Sequence, residues 1–459
     1  MSPAPKTIER FILPQLETAL FDSPAVLVHG PRQCGKTTVA RAIAHKHGYE
    51  YLTFDDDDIR ATAEADPIGF VERRASQTVL DEVQRVPGLL TSVKASIDRD
   101  RTPGRFLLTG SSNVLLLPAL SDSLAGRLAL QRLHPFSQDE ILGVRSDFLA
   151  RLFEGEFLGG QVNRLGAELA ERVVDGGYPA ALARPLPRRR AAWYRDYIET
   201  IVQKDIREMA RIGSLDAIPK LVAMAAGQTA RLVNVTDLAS PFQITRQTIR
   251  EYLTLLQRLF LIDELPPWHG NHLSRLVKTP KLHIGDTGLA AAVLGIDAVT
   301  LWSERTLLGQ LTETFVYQEL RRQASWAEDD LRFHHYRDRD GMEVDIVLER
   351  GYGQLAGIEV KAAATVSAGD FRGLRKLKSV SGDRFRVGVV LYDGTMAGSF
   401  GDGMFAVPIR QLFGEAEIGD DLPRRQTMED AADAKEADEA KAEGGSMSLE
   451  KFRRRLAGG

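Results

Sequence analysis

The sequence predicts an α/β protein with a parallel-sheet domain, a helical middle and a second α/β domain. Three features of the 459-residue chain carry that prediction. Short apolar strands alternate with helical stretches from residue 25 to about 135. Helical periodicity takes over from about 140 to 228, and mixed strand and helix patterning returns from 300 to 412. An alternating βαβ rhythm implies a parallel sheet covered on both faces, with ligand at the carboxyl ends of its strands.

The first strand, Ala25–His29, runs into Gly30, Pro31, Arg32, Gln33, Cys34, Gly35, Lys36, Thr37 and Thr38, then into a helix. This is G-x-x-x-x-G-K-T between strand and helix. Its glycines let the backbone approach a phosphate in conformations a Cβ forbids. Successive amides then line an anion-sized concavity at a helix N-terminus. The pattern assigns ATP to residues 30–38, with Lys36 on the β- and γ-phosphates and Thr37 on Mg²⁺. The G-x-G-x-x-G fingerprint is absent, so a dinucleotide is not expected.

Further strands are predicted at 51–55, 78–81, 105–109 and 128–133. The strand at 78–81 ends in Asp81-Glu82. After a phosphate loop, Asp81 reads as the acid that holds Mg²⁺ through water and Glu82 as the residue that polarises the attacking water. Thr109, Ser111 and Asn113, at the tip of another strand, are equal candidates for touching the γ-phosphate or its water.

At this length two or three domains are expected. The boundaries read as 1–138 for the phosphate-loop domain, 139–228 helical, 229–299 winged-helix-like, 300–415 α/β, and 416–459 a charged tail with nothing to bury. Hydrophobic residues at 43% and charged ones at 27% are those of a globular protein. A net charge of −4 supplies no global field for nucleic acid. No apolar run approaches a membrane span, and the N-terminus has no signal-peptide core, so the cytoplasm is expected. One cysteine, Cys34, excludes an internal disulfide and reads as a small filler of the loop. His269-x-x-His272 lacks a cysteine partner and is not read as a zinc site.

In the middle, a helix is predicted over 191–209 from Trp193, Tyr197, Ile201 and Ile206 at helical spacing. Residues 229 to 265 read as a helix-turn-helix with a wing. Thr245 caps a helix over 246–256, whose apolar face is Ile249, Leu253 and Leu256, and a strand follows at 259–263. Arg246, Gln247 and Arg250 are left on its outer face as candidate DNA contacts. A packing module that touches no DNA is the equal alternative.

In the last domain, Asp345 on one strand precedes Glu359-x-Lys361 on the next. That is the pattern of the restriction-endonuclease-like (PD-D/E-x-K) fold. Residues i and i+2 of a strand share a face, so Glu359 and Lys361 point together. Asp345 and Glu359 are expected to share a divalent ion, with Lys361 near the scissile phosphate and Glu313 as a further acid.

From about residue 8 to 412 the chain resembles the prokaryotic AAA-type P-loop ATPases joined to a C-terminal domain of unknown function 4143. The strings that carry this are GPRQCGKTT, TVLDE, LLTGSSN with SLAGR, GGYP (residues 176–179), YIETIVQKDIREMARIG, KLHIGDTGLAAAVLG and GMEVDIVLERG with IEVKA. Family members often carry a small apolar residue where this chain has Cys34. The resemblance implies an AAA-like core, a helical and winged-helix middle and a nuclease-like end. It also points to Arg127 as an arginine finger acting between copies of a homo-oligomer. The expected function is a Mg²⁺-dependent ATPase that couples nucleotide state to a DNA- or protein-directed C-terminal half. An ATP-gated metal-dependent nuclease and a slow ATP-binding switch that recruits a protein partner are the alternatives.

Overall fold

Strand β1 (Ala25–His29) is buried along its whole length, because it lies inside a sheet covered on both faces. The structure, a computed structural model, describes residues 8–74, 77–110, 126–157, 159, 161–206, 217–242, 244–270, 279–351 and 353–414. With β2 (Glu50–Thr53), β3 (Thr78–Asp81), β4 (Phe106–Gly110) and β5 (Leu128–Arg132), β1 forms a five-stranded parallel sheet in the order β2-β3-β4-β1-β5. Alternation along the strands serves two cores. Leu27, Leu80 and Leu108 join one with Phe54 and Phe70, while Val26, Val79 and Leu107 join the other with Val39 and Ile43.

The order has a consequence for the site. β4 separates the phosphate-loop strand from the acidic strand, so the tip of β4 lies between them. The strand predicted at 51–55 ends two residues earlier, at Thr53. Asp56 accepts the amides of Asp58 and Ile59 and caps the next helix, Asp57–Ala65, which draws Asp55 out of the sheet. Ser111 and Asn113 lie outside the described residues.

The chain leaves β5 through a capping box, Ser137 with Glu140, into helix Gln138–Leu142. Helices Phe148–Glu154, Ala167–Asp175, Pro179–Leu182, Pro187–Ile201 and Ala217–Gly227 follow. The helix expected from 191 begins at Pro187, since proline suits the first helical position. It continues into a π-helical segment, Val202–Ile206. Next come β6 (Arg231–Leu232), helices Val235–Ala239 and Arg246–Arg258, β7 (Ile262–Leu265) and β8 (Lys281–Ile284). These strands pair antiparallel in the order β6-β8-β7. The strand expected at 259–263 starts late. Leu259 still closes the helix, and Phe260 takes φ +60°, so the extended run begins at Ile262.

Helix Arg305–Ala324 precedes a six-stranded mixed sheet. Its strands are β9 (Leu331–Arg337), β10 (Glu343–Arg350), β11 (Gln354–Lys361), β12 (Phe385–Tyr392), β13 (Gly398–Ser399) and β14 (Met404–Pro408), in the order β13-β14-β12-β11-β10-β9. Helix Arg372–Ser381 joins β11 to β12 and turns Leu374 and Leu377 inward. One continuous apolar core runs from Phe148 to Phe413 and includes residues of the helices and of the three- and six-stranded sheets. The charged tail lies outside the described residues. Among the described residues no helix is long and apolar enough to cross a membrane.

Candidate nucleotide site and a carboxylate cluster

The phosphate loop needs its glycines for two different reasons. A Cβ on Gly30 would sit 2.1 Å from the Leu133 carbonyl oxygen, where the chain leaving β5 packs against the loop. Gly35, at φ +104°, opens helix Lys36–His47. No side chain caps that helix, so its first-turn amides stay available to an anion. Lys36 is buried and folds back over the loop, donating to the carbonyls of Gly30 at 3.1 Å and Pro31 at 2.8 Å. Cys34 is fully buried, with its thiol 3.5 Å from the Leu133 carbonyl.

Two residues that the sequence reading missed hold the loop from outside. Arg10 donates to the Cys34 carbonyl at 2.8 Å and is fixed by Glu140 at 2.9 Å. Tyr197, from helix Pro187–Ile201, donates to the Arg32 carbonyl at 3.2 Å. Neither carries a local sequence signal, because each bond spans elements far apart in the chain.

Asp81 is almost fully buried and accepts three hydroxyls. Thr37 Oγ1 reaches Oδ2 at 3.0 Å, Tyr51 Oη reaches Oδ2 at 2.7 Å, and Thr109 Oγ1 bonds Oδ1. Burial, then Asp81, pushes the Tyr51 phenol up to about 12. Mg²⁺ takes oxygen ligands at about 2.0–2.1 Å in an octahedron, which sets neighbouring oxygens about 3 Å apart. The Thr37–Asp81 spacing fits that geometry.

Glu82 stands in the left-handed region, φ +61°, which is strained for a residue with a Cβ. Its amide donates to Thr109 Oγ1 at 2.9 Å, and the Gln84 side chain donates to its carboxylate. Of the three candidates at the tip of β4, Thr109 is the one the described residues place beside both acids. His29, next to the loop, has its pKa lowered to about 4 by burial and by the charges of Arg132 and Lys36.

Arg127 lies elsewhere. It immediately precedes β5, whose Leu128 is paired with Ala25 at the start of β1, and it is bound to Asp98 at 2.5 Å. It therefore sits at the opposite end of the sheet from the phosphate loop. Arg246, Gln247 and Arg250 are exposed on helix Arg246–Arg258, with Gln247 bonded to Glu251 at 3.0 Å. His269 is described but His272 is not.

In the terminal sheet Asp345 and Glu359 lie opposite each other, one position beyond the Ile346–Ile358 pair. Each of the two carboxylates has a lysine partner, Lys281 for Asp345 and Lys361 for Glu359. Lys281 of β8, only 1% exposed, places Nζ 2.7 Å from Glu313, 2.7 Å from Glu343 and 3.1 Å from Asp345. Lys361 binds Glu359 at 2.8 Å. Burial and Asp345 raise Glu359 to about 8, against the pull of Lys361. Among the described residues, no group of three His, Cys, Asp or Glu is arranged to hold a metal. The sequence signal that was missed is a lysine inside the otherwise strand-like KLHI.

Helix Arg305–Ala324 connects these places. Its Glu313 meets Lys281. Its Arg321 binds Asp263 at 3.0 Å, and Arg132 at the tip of β5 binds the same carboxylate at 3.3 Å. Its Arg322 binds Asp286 at 3.2 Å, and Asp286 also accepts the Gly177 amide at 2.9 Å. Its Glu319 accepts the Gln138 amide at 2.8 Å.

Family models match the chain in successive stretches. An AAA domain matches residues 22–142, a domain of unknown function (DUF8612) residues 166–300, and a domain of unknown function (DUF4143) residues 308–412. An uncharacterized protein of Mycobacterium tuberculosis is 29% identical over 401 residues, 87% of this chain and 83% of that protein. Shikimate kinase 2 of Dickeya chrysanthemi is 33% identical over 93 residues, 20% of this chain and 46% of the kinase. A Walker-type ATPase of Pyrococcus abyssi is similar over 62% of this chain and 96% of its own, at 18% identity and a TM-score of 0.41.

Proposed function

We propose that this chain, which joins an AAA-type P-loop ATPase domain to a domain of unknown function 4143, binds and hydrolyses Mg²⁺·ATP and uses the cycle to direct its C-terminal half. The observation that carries the reading is the set of hydroxyls around Asp81, beside a phosphate loop with free first-turn amides. Lys36 leaves the loop carbonyls for the β- and γ-phosphates. Thr37 and Asp81 hold Mg²⁺, which when bound neutralises phosphate charge. Glu82, with its backbone fixed by Thr109, polarises the attacking water.

The coupling route is helix Arg305–Ala324. Its Glu319 binds Gln138 just beyond the ATPase sheet, its Arg321 binds Asp263 of β7, which also binds Arg132 at the end of β5, and its Glu313 binds Lys281 of β8, which reaches Glu343 and Asp345 of the terminal sheet. A buried helix with fixed charges at several points transmits displacement because packed interiors deform little.

Exposed Arg246, Gln247 and Arg250 on one helical face favour DNA over protein as the target of the C-terminal half. The test is ATP turnover of wild type and Lys36→Ala, with and without duplex DNA at two salt concentrations, with light scattering for assembly state. DNA-stimulated turnover that weakens with salt and disappears in Arg246→Ala/Arg250→Ala supports the reading. Turnover indifferent to DNA favours the protein-recruiting switch. Turnover undiminished in Lys36→Ala overturns the nucleotide assignment itself.

A further inference from the structure

Lys281 is a cation where one is not expected. It enters from β8, a strand of the middle sheet, and ends among carboxylates of the terminal domain. Taking an ammonium out of water costs several kcal/mol unless carboxylates and hydrogen bonds replace the solvent. Here Glu313, Glu343 and Asp345 replace it. Burial alone works to lower the Lys281 ammonium, but Asp345, Glu313 and Glu343 outweigh it and hold it well above the ordinary lysine value. Burial, then Asp345, meanwhile pushes the Glu313 carboxyl up against the pull of Lys281. Beside it, Glu359 Oε2 is buried with no hydrogen-bond partner among the described residues.

A divalent ion between these strands needs the same oxygens. Ligand distances of about 2.0–2.6 Å around a metal leave no room for an ammonium at the same centre. We propose that Lys281 is the resident cation of the Glu313–Glu343–Asp345 cluster and keeps divalent metal out. The site then serves as an ionic joint between the middle and terminal sheets, and the E-x-K strand is no metal centre while that joint is closed. This inference is independent of the nucleotide reading, because it is tested without nucleotide.

The probe is Mn²⁺ alone, titrated into full-length, nucleotide-free protein and followed by loss of the free-ion electron paramagnetic resonance signal. Wild type, Asp345→Asn, Lys281→Ala, Lys281→Met and Lys281→Ala/Asp345→Asn are compared. Wild type is expected to show no Mn²⁺ site that Asp345→Asn removes. Lys281→Ala, or the bulkier Lys281→Met, is expected to gain one site at least about tenfold tighter than any in wild type, since three carboxylates lose their only shared cation. The double variant loses it again. A folded Lys281→Ala or Lys281→Met with no new site overturns the proposal. If neither folds, wild type against Asp345→Asn decides: an Asp345-dependent Mn²⁺ site in wild type overturns the proposal, and its absence supports it.

Discussion

Thr109 bridges the two acids of the candidate ATPase site: its hydroxyl donates to Asp81 Oδ1 and accepts the Glu82 amide at 2.9 Å. It can do both because β4 lies between β1 and β3. Thr109→Val keeps the shape and removes both bonds. An unsatisfied buried polar group costs about 1–3 kcal/mol, and the Glu82 backbone loses what offsets its strain. Turnover is expected to fall about tenfold or more, corresponding to about 1.4 kcal/mol. ATP affinity, measured by equilibrium binding, is expected to change much less. Equal losses in both would assign Thr109 to binding.

Lys36→Ala and Glu82→Gln separate binding from chemistry. Lys36→Ala removes the point charge on the phosphates and is expected to abolish tight Mg²⁺·ATP binding. Glu82→Gln is expected to retain binding, since its amide still reaches Thr109, while hydrolysis slows because the water is positioned but not polarised. The two are read by fluorescent-nucleotide titration and single-turnover hydrolysis. Undiminished turnover in both variants contradicts the site.

An arginine-finger role for Arg127 requires a contact between copies of the chain. Five strand residues at about 3.3 Å each separate the two ends of β1, and Arg127 stands beside the far end, bound to Asp98. Mixing Arg127→Ala subunits with Lys36→Ala subunits is expected to restore part of the activity, because some interfaces pair an intact site with an intact arginine. A finger in trans contributes about 10³-fold or more. Mixed assemblies that form and stay inactive would leave Arg127 as a surface partner of Asp98.

Glu359 makes stability depend on pH with a definite sign. Burial, then Asp345, raises its folded pKa from 4.5 to about 8. Between those values the native state binds more protons than the unfolded chain, so stability falls as pH rises. The contribution is complete below the unfolded value and lost as pH passes the folded one. Glu359→Gln removes this slope, so its melting temperature relative to wild type is expected to climb from about pH 5 to about pH 8. A constant difference across that range would show that Glu359 is ionised throughout.

The sequence by itself determined the phosphate loop, the strands Ala25–His29 and Thr78–Asp81, and the pairing of Asp81 with Glu82 at a strand end. These are written in a few consecutive residues: glycine freedom, β-branched runs, a lysine and threonine opening a helix. The same local rules placed Glu359 and Lys361 on one strand face. They could not place Lys281, because its partner Asp345 is 64 residues away and the Lys281–Asp345 pair forms only when β8 packs against the terminal domain. Nor could they find Arg10 and Tyr197 on the loop, join Thr109 to both Asp81 and Glu82, or put Arg127 at the far end of β5. Strand order and packing decide which distant charges meet, and the cost of leaving a buried charge unpaired decides which meetings persist.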